Sequence, residues 1–471
     1  MTYNKINYKN GGVGMKHLSY NYDVAVIGGG PAGIAAAITA ARAGKKVALF
    51  EKNSFLGGSM AIGLSPLGFL AQDGRQCIAG FGEEFIRRLE ENGNSFGHRV
   101  CPKHNSVTCV NAEGVKLLAL EMCMEAGVDI LLHCEALNVE VINNKIQKLT
   151  MYGKCNKIDV YAKIYIDCTG DGDVAYLAGC SYEKGQADSG VLQPPTVMFT
   201  LEGVETQKLF EFVEKHPEEL RYNRANIFED ERYCPDYFRE DPNHVFVGLQ
   251  KTFRELKAKG ELPVDRESFI YIGSTNPGEV YVNSVRILNA DTTDIRDLSR
   301  AEIEGALQIP KLIKLLRERI PGFEHCYLSA IAPSLGVRET RRFKGIKRVT
   351  EDDCAKGNVP KDTVCLSGYK IDIHSGKDDG LFFKAVNKPF GIPYGALVSA
   401  DIENLMFAGR CISCDAVALG SLRVIPTCLG MGQAAGVGAA LCVDRDLTPM
   451  QADVNDVRQV LLEQNAILSM D

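Results

Sequence analysis

The sequence predicts an α/β fold on three observations: a strand, glycine turn, helix and strand near the N-terminus, a return to that sheet around residue 163, and another near residue 404. Asp23-Val-Ala-Val-Ile27 reads as a buried strand running into Gly28-Gly29-Gly30-Pro31-Ala32-Gly33, then a small-residue helix and the strand Lys46-Val-Ala-Leu-Phe50. Gly28 permits the tight turn, Gly30 lets the backbone approach a pyrophosphate, and Gly33 lets helix and strand pack closely. The helix N-terminus at Pro31 and Ala32 offers free N–H groups and partial positive charge to phosphates. Ala35-Ala36-Ala37 and Ala40-Ala41 keep the helix thin, and Gly44 stops it. Glu51, about 20 residues beyond the glycines and followed by Lys52, is placed to accept hydrogen bonds from ribose hydroxyls. An acid there disfavours a 2′-phosphate and hence NADP. This Rossmann-like unit alone leaves FAD and NAD both open.

The 471 residues, 45% of them apolar, can bury a large core in two or three domains. A net charge of −7, from 53 basic and 60 acidic residues with no basic block, argues against nucleic acid and anionic membranes as partners. The apolar stretch Val424 to Val443 is interrupted by Pro426 and glycines and reads as a buried helix. Sixteen cysteines without a secretory signal point to free thiols in a cytoplasmic setting. Met15 resembles an alternative start.

After Glu51, Gly57-Gly58-Ser59 forms a second glycine turn near the nucleotide. Helices are expected over Phe81 to Glu91 and around Gly114 to Ala126, with Gly127 ending the latter. Val128 to Leu132 and Ala136 to Ile142 read as strands, Asn143-Asn144 as a hairpin turn, and Lys145 to Met151 as its return. Lys163-Ile-Tyr-Ile-Asp167 leads into Cys168-Thr169-Gly170-Asp171. From about Gly185 the character changes: a strand over Thr196 to Leu201, then charged, partly helical sequence. Ser299 to Ile320 has helical periodicity through Ile303, Leu307, Leu312 and Leu316, which Pro310 should kink or split. Phe390 to Tyr394 and Asn404 to Ala408 return to buried strands. The expected division is a flexible tail over 1–20, a nucleotide domain over 21–185 and 389–450, an inserted domain over 186–388, and a C-terminal helix in 451–471.

The N-terminal fingerprint, Asp167-Cys-Thr-Gly-Asp-Gly-Asp-Val-Ala175, Leu335-Gly-Val-Arg-Glu-Thr-Arg-Arg342, and Ala408-Gly-Arg-Cys-Ile-Ser413 with Ser421 to Cys428 together resemble the FAD-dependent oxidoreductase family. That family is related to fumarate reductase and succinate dehydrogenase flavoproteins within the glutathione-reductase-like FAD fold. The resemblance implies a discontinuous Rossmann-like FAD-binding domain with an inserted α+β substrate domain, and FAD over NAD. By that pattern the Gly28–Gly33 loop and Glu51 hold the adenosine half. Thr169, Gly170 and Asp171 close over the same end, and Gly409 and Arg410 meet the ribityl chain. The helix starting near Pro426 and Thr427, or its neighbour at Gly432, aims its N-terminus at the flavin pyrimidine. A flavin-linking histidine ahead of Gly57-Gly58 is lacking, so the expected FAD is non-covalent. No second GxGxxG and no iron–sulfur cysteine cluster occurs in the sequence, leaving the electron donor or acceptor unknown.

Flavin carries the redox step, so the protein must supply grip, proton transfer and water exclusion. Arg338 and Arg341 are the leading anchors for an anionic substrate, because a guanidinium meets a carboxylate bidentately and stays charged; Arg342 lies beside them. His374 and Tyr394 are candidate proton donors, with Arg286 and Arg423 in reserve. A redox pair at Cys411 and Cys414, and a metal site from His98, Cys101, His104 and Cys109, are weaker alternatives, and no metal is expected. The expected activity is hydride transfer between flavin N5 and a small organic substrate, at a C=C or C=O bond beside a carboxylate or carbonyl. An oxygen-using hydroxylase or oxidase, an electron-transfer component of a larger complex, and a thiazole-forming relative are the rivals. A homo-oligomer is expected from size and composition alone.

Overall fold

A computed structural model describes residues 15–187, 189–220, 230–376 and 380–470. The central sheet runs in the order Asp129–Leu132, Val47–Glu51, Lys16–Ile27, Asn156–Asp167, Lys145–Gly153, Glu135–Ile142, and Leu405–Phe407 also pairs with Asn156–Asp167. The first four and Leu405–Phe407 are mutually parallel, while the hairpin strands are antiparallel. The long strand Asn156–Asp167 serves both arrangements: its first half pairs with the hairpin, and its last three residues with Leu405–Phe407. The hairpin turns where expected, through Asn143 and Asn144 at φ of +51° and +56°.

The parallel sheet carries the helix Pro31–Arg42 on one face, and the helix Ile425–Arg445 lies against that helix. The two approach at backbone distance, because a Cβ on Gly432 or Gly436 would lie 2.1 Å from Ala32 O or 2.5 Å from Ala36 O. Ile425–Arg445 is long and apolar enough to cross a membrane, but 89% of its most apolar window is buried inside the protein. It is a core helix, as Pro426 and the glycines imply.

A second sheet, fully antiparallel, runs Val245–Gly248, Phe269–Gly273, Val280–Val282, Phe199–Glu202, Tyr327–Ile331. The expected strand at Thr196 begins later, at Phe199, with Thr196 in a single bridge to Gly336. The helix Ile295–Arg319 is uninterrupted, so of the two effects expected of Pro310, a kink or a split, the split does not occur. Burial of Ile309, Leu312, Ile313 and Leu316 around the proline offsets its one missing backbone bond. Ile303 and Leu307 are 61% and 63% exposed. The helix instead packs its first half through Ala301 and Gly305, where a Cβ on Gly305 would meet Val197 at 2.3 Å.

Two boundaries shift. Residues 16–20 are strand, paired from Lys16 with Asn156 onward, and so do not belong to a flexible tail; residues 1–14 lie outside the described residues. The return from the insertion precedes 389. Strand Arg341–Phe343 pairs with Tyr182–Lys184, and Thr363–Ser367 pairs with Phe390–Pro393 while Cys365 packs on Gly430 of the core helix. The alternating apolar residues of this region serve the nucleotide domain's core. The C-terminal helix spans Val454–Glu463.

Candidate active site

The glycine turn is built as its sequence requires. Gly28 has φ +99°, and a Cβ there would lie 2.3 Å from Cys168 O. A Cβ on Gly33 would lie 1.7 Å from Gly28 O, so Gly33 sets the helix-to-strand approach and does not face the cavity. Gly30 is different: its φ is −74°, and a Cβ would meet nothing nearer than Gly58 Cα at 4.0 Å. It opens on a long cavity whose near wall also includes Pro31, Ala32, Lys52, Gly58 and Ser59. Gly57, at φ +104°, turns toward Val115 and Ala61 and shapes the loop without lining the cavity. Glu51 is buried, its Oε2 accepting from Gly29 N–H at 2.6 Å and its Oε1 from Asn53 N–H at 2.8 Å. This fixes the carboxylate at the end of its strand.

Opposite stand Thr169, Gly170, Asp171, Gly409 and Arg410, all on the cavity. Arg410 Nη2 donates to Asp171 Oδ1 at 2.9 Å, and Thr340 Oγ1 donates to the same oxygen. Burial opposes ionisation of Asp171, but Arg410 and Lys52 outweigh it and hold the carboxyl below its usual value. The core helix presents Val424, Ile425 and Cys428 to the cavity. Thr427 instead turns to Ser367 Oγ at 3.3 Å, and Gly432 faces Ala32, so neither lines the cavity as the sequence reading expected. The helical period carries those two positions onto the packed side. The slot between Gly30 and Gly58, the fixed acid and the uncapped helix start suit a dinucleotide.

Beyond the cradle the cavity continues under the antiparallel sheet, whose Val245, Val247, Ile270 and Ile272, with Met198 just ahead of strand Phe199–Glu202, form an apolar wall. Facing it are Arg338, Arg423, Asp372 and His374. Arg338 Nη1 donates to Pro194 O at 2.7 Å. Arg423 Nη2 donates to Asp372 O at 2.9 Å and lies 3.6 Å from its carboxylate. His374 Nε2 lies 3.4 Å from the other oxygen, Asp372 Oδ1. Burial, then repulsion from Arg266, Arg423 and Arg286, penalises the Arg338 charge. A guanidinium does not shed its proton in proteins, so that penalty becomes a demand for a counter-anion. Burial and Arg338 also push His374 well below its ordinary value, leaving a neutral imidazole. Its Nδ1, like the buried hydroxyl of the cavity residue Tyr369, has no hydrogen-bond partner among the described residues.

Two of the four candidate catalytic residues also lie off the cavity. Arg341 points away from the cavity, toward Asp173 at 3.2 Å and over the Tyr176 ring at 4.0 Å. Pairing of Arg341–Phe343 with Tyr182–Lys184 fixes that direction. Tyr394 lies beneath the core helix, against Gly438, where a Cβ would sit 2.8 Å from its ring. Arg342 forms a buried 2.5 Å pair with Glu339, and Arg286 holds the carbonyls of Ser375 and Gly380. His98 is taken by Glu83 and Thr108, and no group of three or more metal-ligating side chains occurs among the described residues. Cys411 and Cys414 are free buried thiols, the latter pushed up to about 12 by burial.

The sequence reading missed Tyr369, Asp372, Asn283 and Lys103 as cavity residues. The alternation of Asp372 and His374 on strand Ile371–His374 places both on one face and could have disclosed Asp372.

Parallel sheet, glycine cradle and ribose acid define a dinucleotide-binding protein. The model of the FAD dependent oxidoreductase family matches residues 23–461, and the chain belongs to that family; its cofactor is non-covalent FAD. Local sequence similarity reaches thiamine thiazole synthase of Desulfosudis oleivorans, 63% identical over 38 residues (8% of this chain, 15% of the relative). It also reaches the soluble pyridine nucleotide transhydrogenase of Ectopseudomonas mendocina, 40% identical over 73 residues (15% of this chain). The chain thus spans only 15% and 16% of the length of these curated relatives. Among solved structures, a geranylgeranyl bacteriochlorophyll reductase-like protein of Thermoplasma acidophilum is 15% identical, covering 95% of this chain and 83% of its own, with TM-score 0.45. A flavoprotein/dehydrogenase of Cytophaga hutchinsonii is 13% identical, covering 94% and 86%, with TM-score 0.46.

Proposed function

We propose that this FAD-dependent enzyme moves a hydride between the flavin and a small organic anion, at a C=C or C=O bond beside a carboxylate. The observation that carries this is the pair formed by the buried Arg338 and the half-buried Arg423 on the cofactor's own cavity, with the Asp372 carboxylate 3.6 Å from Arg423. Bound FAD supplies a hydride donor and acceptor at N5. The guanidiniums of Arg338 and Arg423 hold the substrate carboxylate in a fixed orientation. The apolar wall from Met198 to Ile272 excludes water, which strengthens those contacts. Tyr369 keeps its proton, because burial pushes its pKa well above the usual value, and its buried, unpartnered hydroxyl donates to the substrate once a rotation of the side chain brings it to the cavity. The Asp372 carboxylate beside Nε2 favours the Nε2–H tautomer of His374, leaving the Nδ1 lone pair to accept a proton in the dehydrogenating direction. Arrival of the anion cancels part of the Arg338 repulsion and raises the proton affinity of His374.

Electrons enter through the same cavity from an external donor. The sixteen free cysteines, fourteen of them buried, support work in a reducing, cytoplasmic compartment. The test is anaerobic: the flavin is reduced, then mixed with α,β-unsaturated acids, enones or air. Reoxidation by an acid faster than by air supports the reading. Reoxidation by oxygen alone replaces it with a hydroxylase or oxidase.

A further inference from the structure

We propose that Lys103, on the cavity that Arg338 and Arg423 share with the cofactor cradle, and Lys370, behind the cavity-lining Phe383, form a second anion-binding subsite, so that the substrate carries two anionic groups a few carbon atoms apart. This rests on the reading of that cavity as the substrate site, and it adds the substrate's second charge.

Lys103 sits at the turn between strands Arg99–Cys101 and Asn105–Val107, and its side chain lines the cavity. Asn105 Nδ2 donates to Gly368 O at 2.7 Å, which ties this turn to the segment carrying Tyr369 and Lys370. Asp372 pairs across its hairpin with Phe383, and Phe383 also lines the cavity. The Lys370 ammonium stands over the Phe383 ring at 4.9 Å, and the Lys103 ammonium over Tyr233 at 4.3 Å. Successive strand residues rise about 3.3 Å, so Lys370 is set roughly 7 Å along the chain from Asp372 and the guanidinium it meets.

Both lysines are buried, at 9% and 7% exposure, and neither forms an ion pair with a carboxylate among the described residues. Buried ammonium groups are rare unless paired. Lys103 lines the cavity and Lys370 stands behind the cavity-lining Phe383; the charges of Asp372 and Asp230 reach Lys370 without forming an ion pair with it, so the two ammonium groups together make a place for an anion. Burial pushes each down to about 8, and for Lys103 the charge of Lys370 adds to the effect, so at neutral pH both remain cationic. Their neighbour His104 is pushed down to about 3 by burial and by Lys370, so it contributes no charge. Aromatic rings complement a cation but do not neutralise it. A second carboxylate or a phosphate-type group on the substrate does, and the Arg338 and Arg423 end is left for the group beside the reacting bond.

The test uses oxidised holoprotein and needs no turnover: glutarate, its monomethyl ester and 4-phosphonobutyrate are titrated while the visible flavin band is followed. Glutarate is expected to bind at least tenfold tighter than the monoester, a ratio that Lys103→Met and Lys370→Met each reduce to within about twofold of unity. Lys370→Arg is expected to restore most of it. Flavin content and melting temperature identify any variant that fails to fold, and the two lysines then test one another. Tighter binding of the phosphonate than of glutarate assigns the subsite to a phosphate-type group. A monoester that binds as well as glutarate, or a preference that survives both substitutions, overturns the second subsite while the arginine site stands. If none of the three binds, the anionic reading of the whole cavity falls.

Discussion

Replacing Gly30 and Gly33 separately by alanine divides the cradle into a ligand-facing and a packing part. At Gly30 the added methyl meets only Gly58 Cα at 4.0 Å, and its extended backbone suits any residue. Apoprotein stability is therefore expected to stay level or rise by up to about 1 kcal/mol, as the unfolded chain loses freedom. The methyl points where a pyrophosphate must approach the backbone. Losing one charge-assisted hydrogen bond there costs about 1.5–3 kcal/mol, which weakens FAD roughly 10- to 100-fold. At Gly33 the methyl would lie 1.7 Å from Gly28 O and 3.3 Å from Cys168 Cβ. Backbone must move, and overpacking of this kind costs about 1–3 kcal/mol or more. The assay is flavin content per chain, FAD affinity by fluorescence quenching, and thermal melting of the apoproteins. The reasoning is refuted if Gly30→Ala binds FAD as tightly as the parent, or if Gly33→Ala melts with it.

Arg338→Met is expected to weaken binding of a carboxylate ligand about 30-fold or more, because it truncates one side of a buried charged contact. Arg341→Met, which loses only Asp173 and the Tyr176 ring, is expected to lower stability by about 1 kcal/mol and leave KM in place, as denaturant melts and steady-state rates will show. Tyr369→Phe should slow turnover about 100-fold in stopped-flow measurements, whereas Tyr394→Phe should stay within about twofold. Two pH dependences of opposite sign follow from Lys103 and Lys370, each lowered to about 8. Glutarate affinity is expected to be full below pH 8 and to fall above it, as the ammonium groups lose their protons. Apoprotein stability is expected to rise between pH 8 and about 10.4, where the unfolded chain still binds protons that the folded one has released; the difference between parent and the double Lys→Met variant in pH-dependent melts isolates this contribution.

Local chemistry made much of the fold legible. The strand-to-helix turn at Gly28, the hairpin at Asn143-Asn144 and the helix Phe81–Glu91 are each specified within a few residues, and the structure places them where the sequence does. Long-range packing decided the rest. Pro310 remains helical because apolar neighbours around it are buried, information that lies outside the helix's own sequence. Arg338 and Arg341 look alike in sequence, but strand pairing at Arg341 sends it to Asp173 while Arg338 reaches the cavity. Tyr394 and Tyr369 exchange roles for the same reason: Gly438 makes room for one beneath the core helix, and Gly68 packs the other at the cavity, with a Cβ there 3.0 Å from Tyr369. Lys103 carries no local signal, since a lysine in a hairpin turn reads as solvent-exposed. The 368–370 segment, tied to that turn, and Tyr233, over whose ring the Lys103 ammonium stands, are distant in sequence.

The central claim is that the flavin exchanges hydride with an anion gripped by Arg338 and Arg423, and single-turnover reoxidation tests it most directly. Anaerobically reduced protein is mixed with an α,β-unsaturated acid or with its primary amide, in the parent and in Arg423→Met. Fast reoxidation by the acid, slow reoxidation by the amide, and loss of that difference in the variant are the predicted result. Equal rates with acid and amide, or reoxidation by oxygen alone, contradict the account.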